Sequence, residues 1–166
     1  MSKVVFALED DISTDDIYPG RYMATVLPSE TPQYCFADHA EFNGKLKAGQ
    51  VPVGSIVLAR NNFGCGSSRE QAASTLQGHG LVIVARSYAR IFMQNAINLG
   101  LRLVVAPEVE GSEGDEMEVG PDKVVNRTTG KSYAVVPLPK ARQAIIDAGG
   151  LIPYTRKLVL EKAGKA

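Results

Sequence analysis

Three short apolar runs constrain this chain more than any other feature: Ser55–Ala59 (SIVLA), Leu81–Ala85 (LVIVA) and Leu101–Ala106 (LRLVVA). Each follows a glycine and is rich in aliphatic residues, so each reads as a buried strand. A helix-length stretch follows each of the first two. Ser68–Gln77 opens on a serine able to cap it, carries Glu70 and Gln71 in its first turn, and stops at Gly78. Ser87–Leu99 puts Ile91, Phe92, Ala96 and Leu99 on one stripe and stops at Gly100. Strand, helix, strand, helix, strand within about fifty residues predicts an α/β core with a mostly parallel sheet.

The flanks are plainer. Lys3–Leu8 (KVVFAL) predicts an opening strand, ended by the acidic EDDISTDD. Residues 18–50 hold several Pro and Gly with little period, which predicts a long loop with one short helix; such loops inside compact domains are usually functional. Met117–Val119, Val124–Asn126 and Ser132–Val136 predict short strands around turns at Gly120 and Gly130. A last helix is expected over about Pro139–Ala148, before Gly149-Gly150. Without an internal repeat or low-complexity segment, residues 1–166 are expected to form one domain.

Composition removes several classes of function. Eighteen basic residues balance eighteen acidic ones, so nothing steers the chain toward nucleic acid or a membrane surface. No apolar run approaches the roughly 20 residues of a membrane span, and the start, MSKVVFALEDD, turns acidic too soon for a signal peptide. Cys35 and Cys65 are expected to be reduced thiols in a cytoplasm. With only His39 and His79 as histidines, the chain is expected to hold no metal of its own.

Two stretches carry the chemistry. The first, NNFGCGSSREQA (residues 61–72), joins a predicted strand to a predicted helix. Gly64 and Gly66 permit unusual backbone angles and a close ligand approach. Unpaired N–H groups at the following helix start favour an anion, and Arg69 offers a fork that fits a carboxylate. The spacing matches neither common nucleotide loop, nor the elbow of serine hydrolases. The alternative is a plain capped helix, with Ser67 or Ser68 as cap and Arg69 on the surface. The second stretch, DDISTDDIYPGRY (residues 10–22), admits three readings: a metal loop lacking the calcium-loop Gly and Glu, a solvated acidic turn, or part of a substrate pocket through Asp15 and Arg21. His79 reads as a surface residue, His39 beside Asp38 carries no functional signal, and Cys65 has no evident base beside it.

Together these stretches resemble a known family. NNFGCGSSREQA is similar to the active-site loop, DISTDDIYPGRY to the first motif, and VIVARSYARIFMQNAINLGL to the third motif of the small subunits of 3-isopropylmalate dehydratase, the swivel domain of the aconitase superfamily. The motifs occur in the family's order over roughly residues 10 to 105. The resemblance implies a swivelling β/β/α domain that caps a separate large subunit, which holds a 4Fe–4S cluster through three cysteines. It implies a heterodimer or heterotetramer that reversibly dehydrates a hydroxy-dicarboxylic acid. By motif position it makes Ser67 the alkoxide base, Arg69 the carboxylate clamp and Asp15 the residue orienting loop and clamp. Ser68, Gly66 and Arg21 fall to substrate binding.

The resemblance also bears on specificity. Relatives acting on homoaconitate carry an arginine in the loop after PGRY, whereas this chain reads Tyr22-Met23-Ala24-Thr25. With Met23 and Ala24 facing the substrate's variable group, an extra carboxylate would be unpaired, at a cost of several kcal/mol. That favours an alkyl-substituted malate: 2-isopropylmalate first, 2,3-dimethylmalate second, a homoaconitate-type substrate last. A non-catalytic carboxylate-binding regulatory module is the competing reading. An enzyme subunit should also expose apolar surface among Tyr18, Tyr22, Met23, Val26, Leu27, Tyr34 and Phe36.

Overall fold

Alternating side chains explain why two strands are apolar throughout and a third is so after its first residue, Arg102. In the computed structural model, which describes residues 1–164, β2 (Ile56–Ala59), β3 (Val82–Ala85) and β4 (Arg102–Val105) lie side by side in parallel. Val57, Ala59, Ile83, Ala85 and Leu103 face one core, shared with helices. Ile56, Leu58, Val82, Val84 and Val104 face a second core on the other side of the sheet. A strand buried on both faces has no polar alternation to display.

β1 (Ser2–Ala7) joins the same sheet parallel to β2, and β5 (Glu116–Val119), β6 (Lys123–Asn126) and β7 (Ser132–Ala134) extend it antiparallel, in the order β4-β3-β2-β1-β5-β6-β7. The sheet is therefore parallel in its first four strands and antiparallel beyond. It also curls back on itself. Beyond β7, Val136 donates its N–H to the Val105 carbonyl of β4 at 2.8 Å. Met117 and Val124 fill the second core from the antiparallel side, while Glu116 and Glu118 point to solvent, the alternation expected of a sheet with one wet face.

The helices pack on the first core: α3 (Glu70–Gly78) and α4 (Arg90–Leu99) contribute Ala72, Ala73, Leu76, Phe92, Ala96 and Ile97. Before them come the four-residue α1 (Thr14–Ile17), two 3-10 turns at Gly20–Tyr22 and Thr31–Tyr34, and α2 (Ala40–Lys47). The long expected loop thus holds one short helix and the two turns. α3 starts two residues later than its sequence suggests: Arg69, not Ser68, occupies the cap position and makes no capping side-chain bond. Gly78 is its last residue rather than its stop.

The chain also does not end its helices at α5 (Lys140–Asp147). After Gly149-Gly150, a further helix, α6 (Leu151–Lys162), packs on α4 and α5. The glycine pair is a corner. Gly150 has φ +119°, and a Cβ there would lie 2.7 Å from the Asn98 carbonyl oxygen, so only glycine lets α6 dock against the end of α4. Among the described residues no helix is long and apolar enough to cross a membrane.

Candidate active site

Parallel pairing of β1 and β2 does not stop at the strand ends; it continues as a pairing of the two loops that follow. Asp11 donates its N–H to Asn61, Gly64 (2.7 Å) and Cys65 donate to Ile12, and Thr14 donates to Cys65 at 2.8 Å. Side chains reinforce the seam. The Asn61 amide and backbone N–H both donate to Asp10, and the Asn62 amide donates to Asp11 at 2.7 Å. The third motif joins from the end of β3: Phe63 donates its N–H to the Ser87 carbonyl, and Ala89 donates its N–H to the Phe63 carbonyl. All three motifs meet outside the carboxyl ends of adjacent parallel strands, where open α/β sheets bind ligands.

The four aspartates of residues 10–22 have separate tasks. Asp10 and Asp11 hold the seam. Asp16 accepts from the Ser13 hydroxyl and N–H and completes a capping box on α1. Asp15 alone faces the serine loop, accepting from the Gly20 N–H at 2.7 Å and from Arg69. Those hydrogen bonds, the Arg69 one first, hold its carboxyl below the usual range. The metal-loop reading therefore has no shared centre: among the described residues no group of three His, Cys, Asp or Glu side chains converges.

Arg69 is mostly enclosed, with 15% of its side chain exposed. Its Nη1 donates to Asp15 and, at 3.2 Å, to the Tyr18 carbonyl. Its Nε is buried and meets no acceptor among the described residues. This contradicts the surface arginine of the plain-helix alternative. Gly20 makes room for the pair, since a Cβ there would press on Arg69 Nη2 at 3.1 Å and on Asp15 at 3.2 Å.

Ser67 and Ser68 stand exposed beside it. Neither caps α3, and what is tied down is their backbone: Thr14 Oγ1 donates to the Ser67 carbonyl at 2.9 Å, and Asn95 Nδ2 donates to the Ser68 carbonyl at 3.2 Å. Their hydroxyls make no hydrogen bond to other described residues. Below them Gly64, at φ +82°, lies against Phe92 so closely that a Cβ would collide with the ring. Gly66 is also left-handed, at φ +89°, which turns the chain out toward Ser67. Two backbone anchors with free hydroxyls, in front of an uncapped helix start, make a site for an anion.

Arg21 is committed elsewhere. It forms a two-bond ion pair with Asp38 and sits over the Tyr22 ring, 4.7 Å from its centroid. Tyr22 in turn stacks on Tyr34 at 4.1 Å. Asp38 has its pKa lowered by that hydrogen bond. Met23 and Ala24 follow on an exposed segment, with Val26 and Leu27 also exposed. Tyr18 and Phe36, by contrast, are fully buried, so the apolar surface is narrower than expected: Met23, Val26 and Leu27, with Tyr22 and Tyr34 half-buried behind.

Other candidates stay outside. His79 bonds through Nε2 to the Pro32 carbonyl at 2.8 Å, and His39 packs its ring edge-on against Phe6 and Phe36. Cys65 donates its thiol to the Asp11 carbonyl at 3.3 Å, and burial, then the Asp11 charge, raises its pKa, the wrong direction for a nucleophile. Thr14, Asn95 and Phe92 were not foreseen as site residues. Their only sequence signal was membership of the first and third motifs.

Comparison with known proteins gives a family and a fold. Residues 29–108 match the aconitase C-terminal domain. A 3-isopropylmalate dehydratase small subunit of Moorella thermoacetica is 43% identical, over 90% of this chain and 91% of its own. That of Methanosarcina mazei is 42% identical, over 92% of this chain and 94% of its own. A crystal structure of 3-isopropylmalate dehydratase from Methanocaldococcus jannaschii superposes with a TM-score of 0.88 and 34% identity, covering 99% of this chain and 98% of the other.

Proposed function

The chain belongs to the family of 3-isopropylmalate dehydratase small subunits, and from that premise we propose that it is one swivel domain, spanning residues 1–166, of a two-subunit hydro-lyase that interconverts 2- and 3-isopropylmalate in leucine biosynthesis. The large subunit is its partner. The 4Fe–4S cluster is assigned to that partner on the family resemblance.

This chain's own residues supply proton transfer and binding. The single observation that carries the reading is the serine pair: exposed, backbone-anchored, and not spent on capping. Ser67 takes the proton from the carbon next to a substrate carboxylate and returns it in the reverse step. A serine hydroxyl is a poor base in water. Near an uncapped helix start and a guanidinium its anion is stabilised where the charge forms. Arg69 pairs with that carboxylate, and Asp15 holds the guanidinium's other end. Ser68 and the Gly66 backbone line the same anion, and Arg21 completes the rim. Met23 and Ala24 meet the substrate's alkyl group, and Ala24 offers no charge partner for a further carboxylate.

Reconstitution with the cluster-loaded large subunit tests the proposal. The expected result is isopropylmalate turnover that Ser67→Ala abolishes while the two chains still associate. Faster turnover of 2,3-dimethylmalate or homoaconitate would replace the substrate assignment. Tight dicarboxylate binding by the chain alone, with no turnover in any mixture, would favour a regulatory binding module instead.

A further inference from the structure

A recess of about 850 Å³ opens beside the serine loop, between the first turns of α4 and the face of α5. Gly64 and Gly66 form one side, and Arg90, Ile91, Gln94 and Arg142 are among the other lining residues. No Asp or Glu lines it, in a chain whose acidic and basic residues are equal in number. Of the nine arginines, Arg21, Arg60, Arg69, Arg86 and Arg127 are held in ion pairs. Arg90 and Arg142, like Arg102 and Arg156, form none with the described residues, and both are exposed in this recess. Between them Ile91 leaves 54% of its surface in water.

We propose that this recess seats an acidic segment of the large subunit, with Arg90 and Arg142 as the charged contacts and Ile91 as the apolar one. The inference rests on the small-subunit reading. Under that reading the surface next to Gly66 must be covered by the partner, because Ser67 works only in a site closed to water. The recess is continuous with that surface. Its volume far exceeds what a small dicarboxylic acid fills, so a polypeptide segment is the better occupant. Unpaired arginines around an exposed aliphatic residue match an interface rim and core. Such charges act mainly on association, and salt weakens them.

The experiment uses the full chain and the cluster-loaded large subunit of the same organism, with affinity measured at low and high ionic strength. Arg90→Glu/Arg142→Glu is the test variant and Arg156→Glu, on α6, the control. The reversal at Arg90 places a carboxylate in the first turn of α4, which a helix favours. Should the double variant still fail to fold, Arg142→Glu alone serves. The expected result is association weakened on the order of tenfold or more at low salt. The wild-type affinity should fall with salt and the variant's much less, with turnover unchanged at saturating large subunit. Equal affinity of variant and wild type would overturn the proposal. So would full association with lost turnover, which would assign the arginines to the substrate. A wild-type chain that neither binds nor activates the large subunit would instead overturn the small-subunit reading.

Discussion

Thr14→Val removes one hydroxyl and keeps the shape of a side chain that is 2% exposed. The lost contact is the 2.9 Å hydrogen bond to the Ser67 carbonyl. The backbone bond from Thr14 to Cys65 remains, so the loop keeps its base and loses only the tether on its Ser67 end. A hydrogen bond of this kind contributes about 0.5–1.5 kcal/mol. Because Ser67 is exposed, water can take over the carbonyl and the lower part of that range applies. At about 2–4 °C per kcal/mol for a chain of this size, the melting temperature should fall by no more than about 4 °C. Turnover should respond on a different scale, since a reacting group misplaced by about 1 Å can cost on the order of 100-fold. In the reconstituted enzyme, kcat should therefore fall roughly 10- to 100-fold with KM little changed. Thr14→Ser, which keeps the hydroxyl, should restore most of it. A Thr14→Val enzyme within about twofold of wild-type kcat would refute the claim that this bond places Ser67. A melting temperature lower by more than about 10 °C would show that the bond supports the fold instead.

Gly64→Ala combines a left-handed backbone with a Cβ that collides with Phe92. At about 1–2 kcal/mol for the backbone and about 1–3 for the overlap, the urea midpoint should drop clearly, and an unchanged midpoint would refute the packing described. Asp15 has a depressed folded pKa. Its contribution is therefore present above the unfolded value near 3.8 and lost as pH falls through the lower folded value. Melts taken from pH 6 downward should show Asp15→Asn losing less stability on acidification than wild type, whereas identical acid limbs would remove Asp15 from the linkage. Burial pushes the Cys35 thiol up to about 12. Native chain at pH 8 should thus titrate one slow thiol, Cys65, and unfolded chain two; two rapid native thiols would contradict the buried placement.

The parallel core was legible because both-face burial leaves an apolar signature, unbroken in β2 and β3 and interrupted in β4 only by Arg102 at its start. The curl of the sheet was not, since closure depends on Val136 reaching Val105, a pairing between residues far apart in sequence. α6 was hidden by Gly149-Gly150, which reads as a terminator when nothing in the local sequence announces the Asn98 carbonyl it must clear. The start of α3 shifted for a related reason. Ser68 is a good cap by type, but Asp15 and the Tyr18 carbonyl draw Arg69 across the site and set the chain extended there. Local propensity lost to a contact made from the first motif. That loss leaves the Ser68 hydroxyl uncommitted, next to the candidate base Ser67.

The arginine pairing adds a last constraint on how the site operates. Arg69 has given both Nη1 hydrogens to this chain, one to Asp15 and one to the Tyr18 carbonyl. Asp15 fixes that end of the guanidinium, and Gly20 supplies the space that lets Asp15 stand so close. Nη2 makes no hydrogen bond to another described residue. On the proposed reading, a substrate carboxylate meets Nη2 without displacing Asp15, so binding adds an acceptor instead of exchanging one ion pair for another. The same logic separates Arg21. Asp38 already takes two of its hydrogen bonds, so a substrate would have to compete for it, and its part in binding is the weaker of the two.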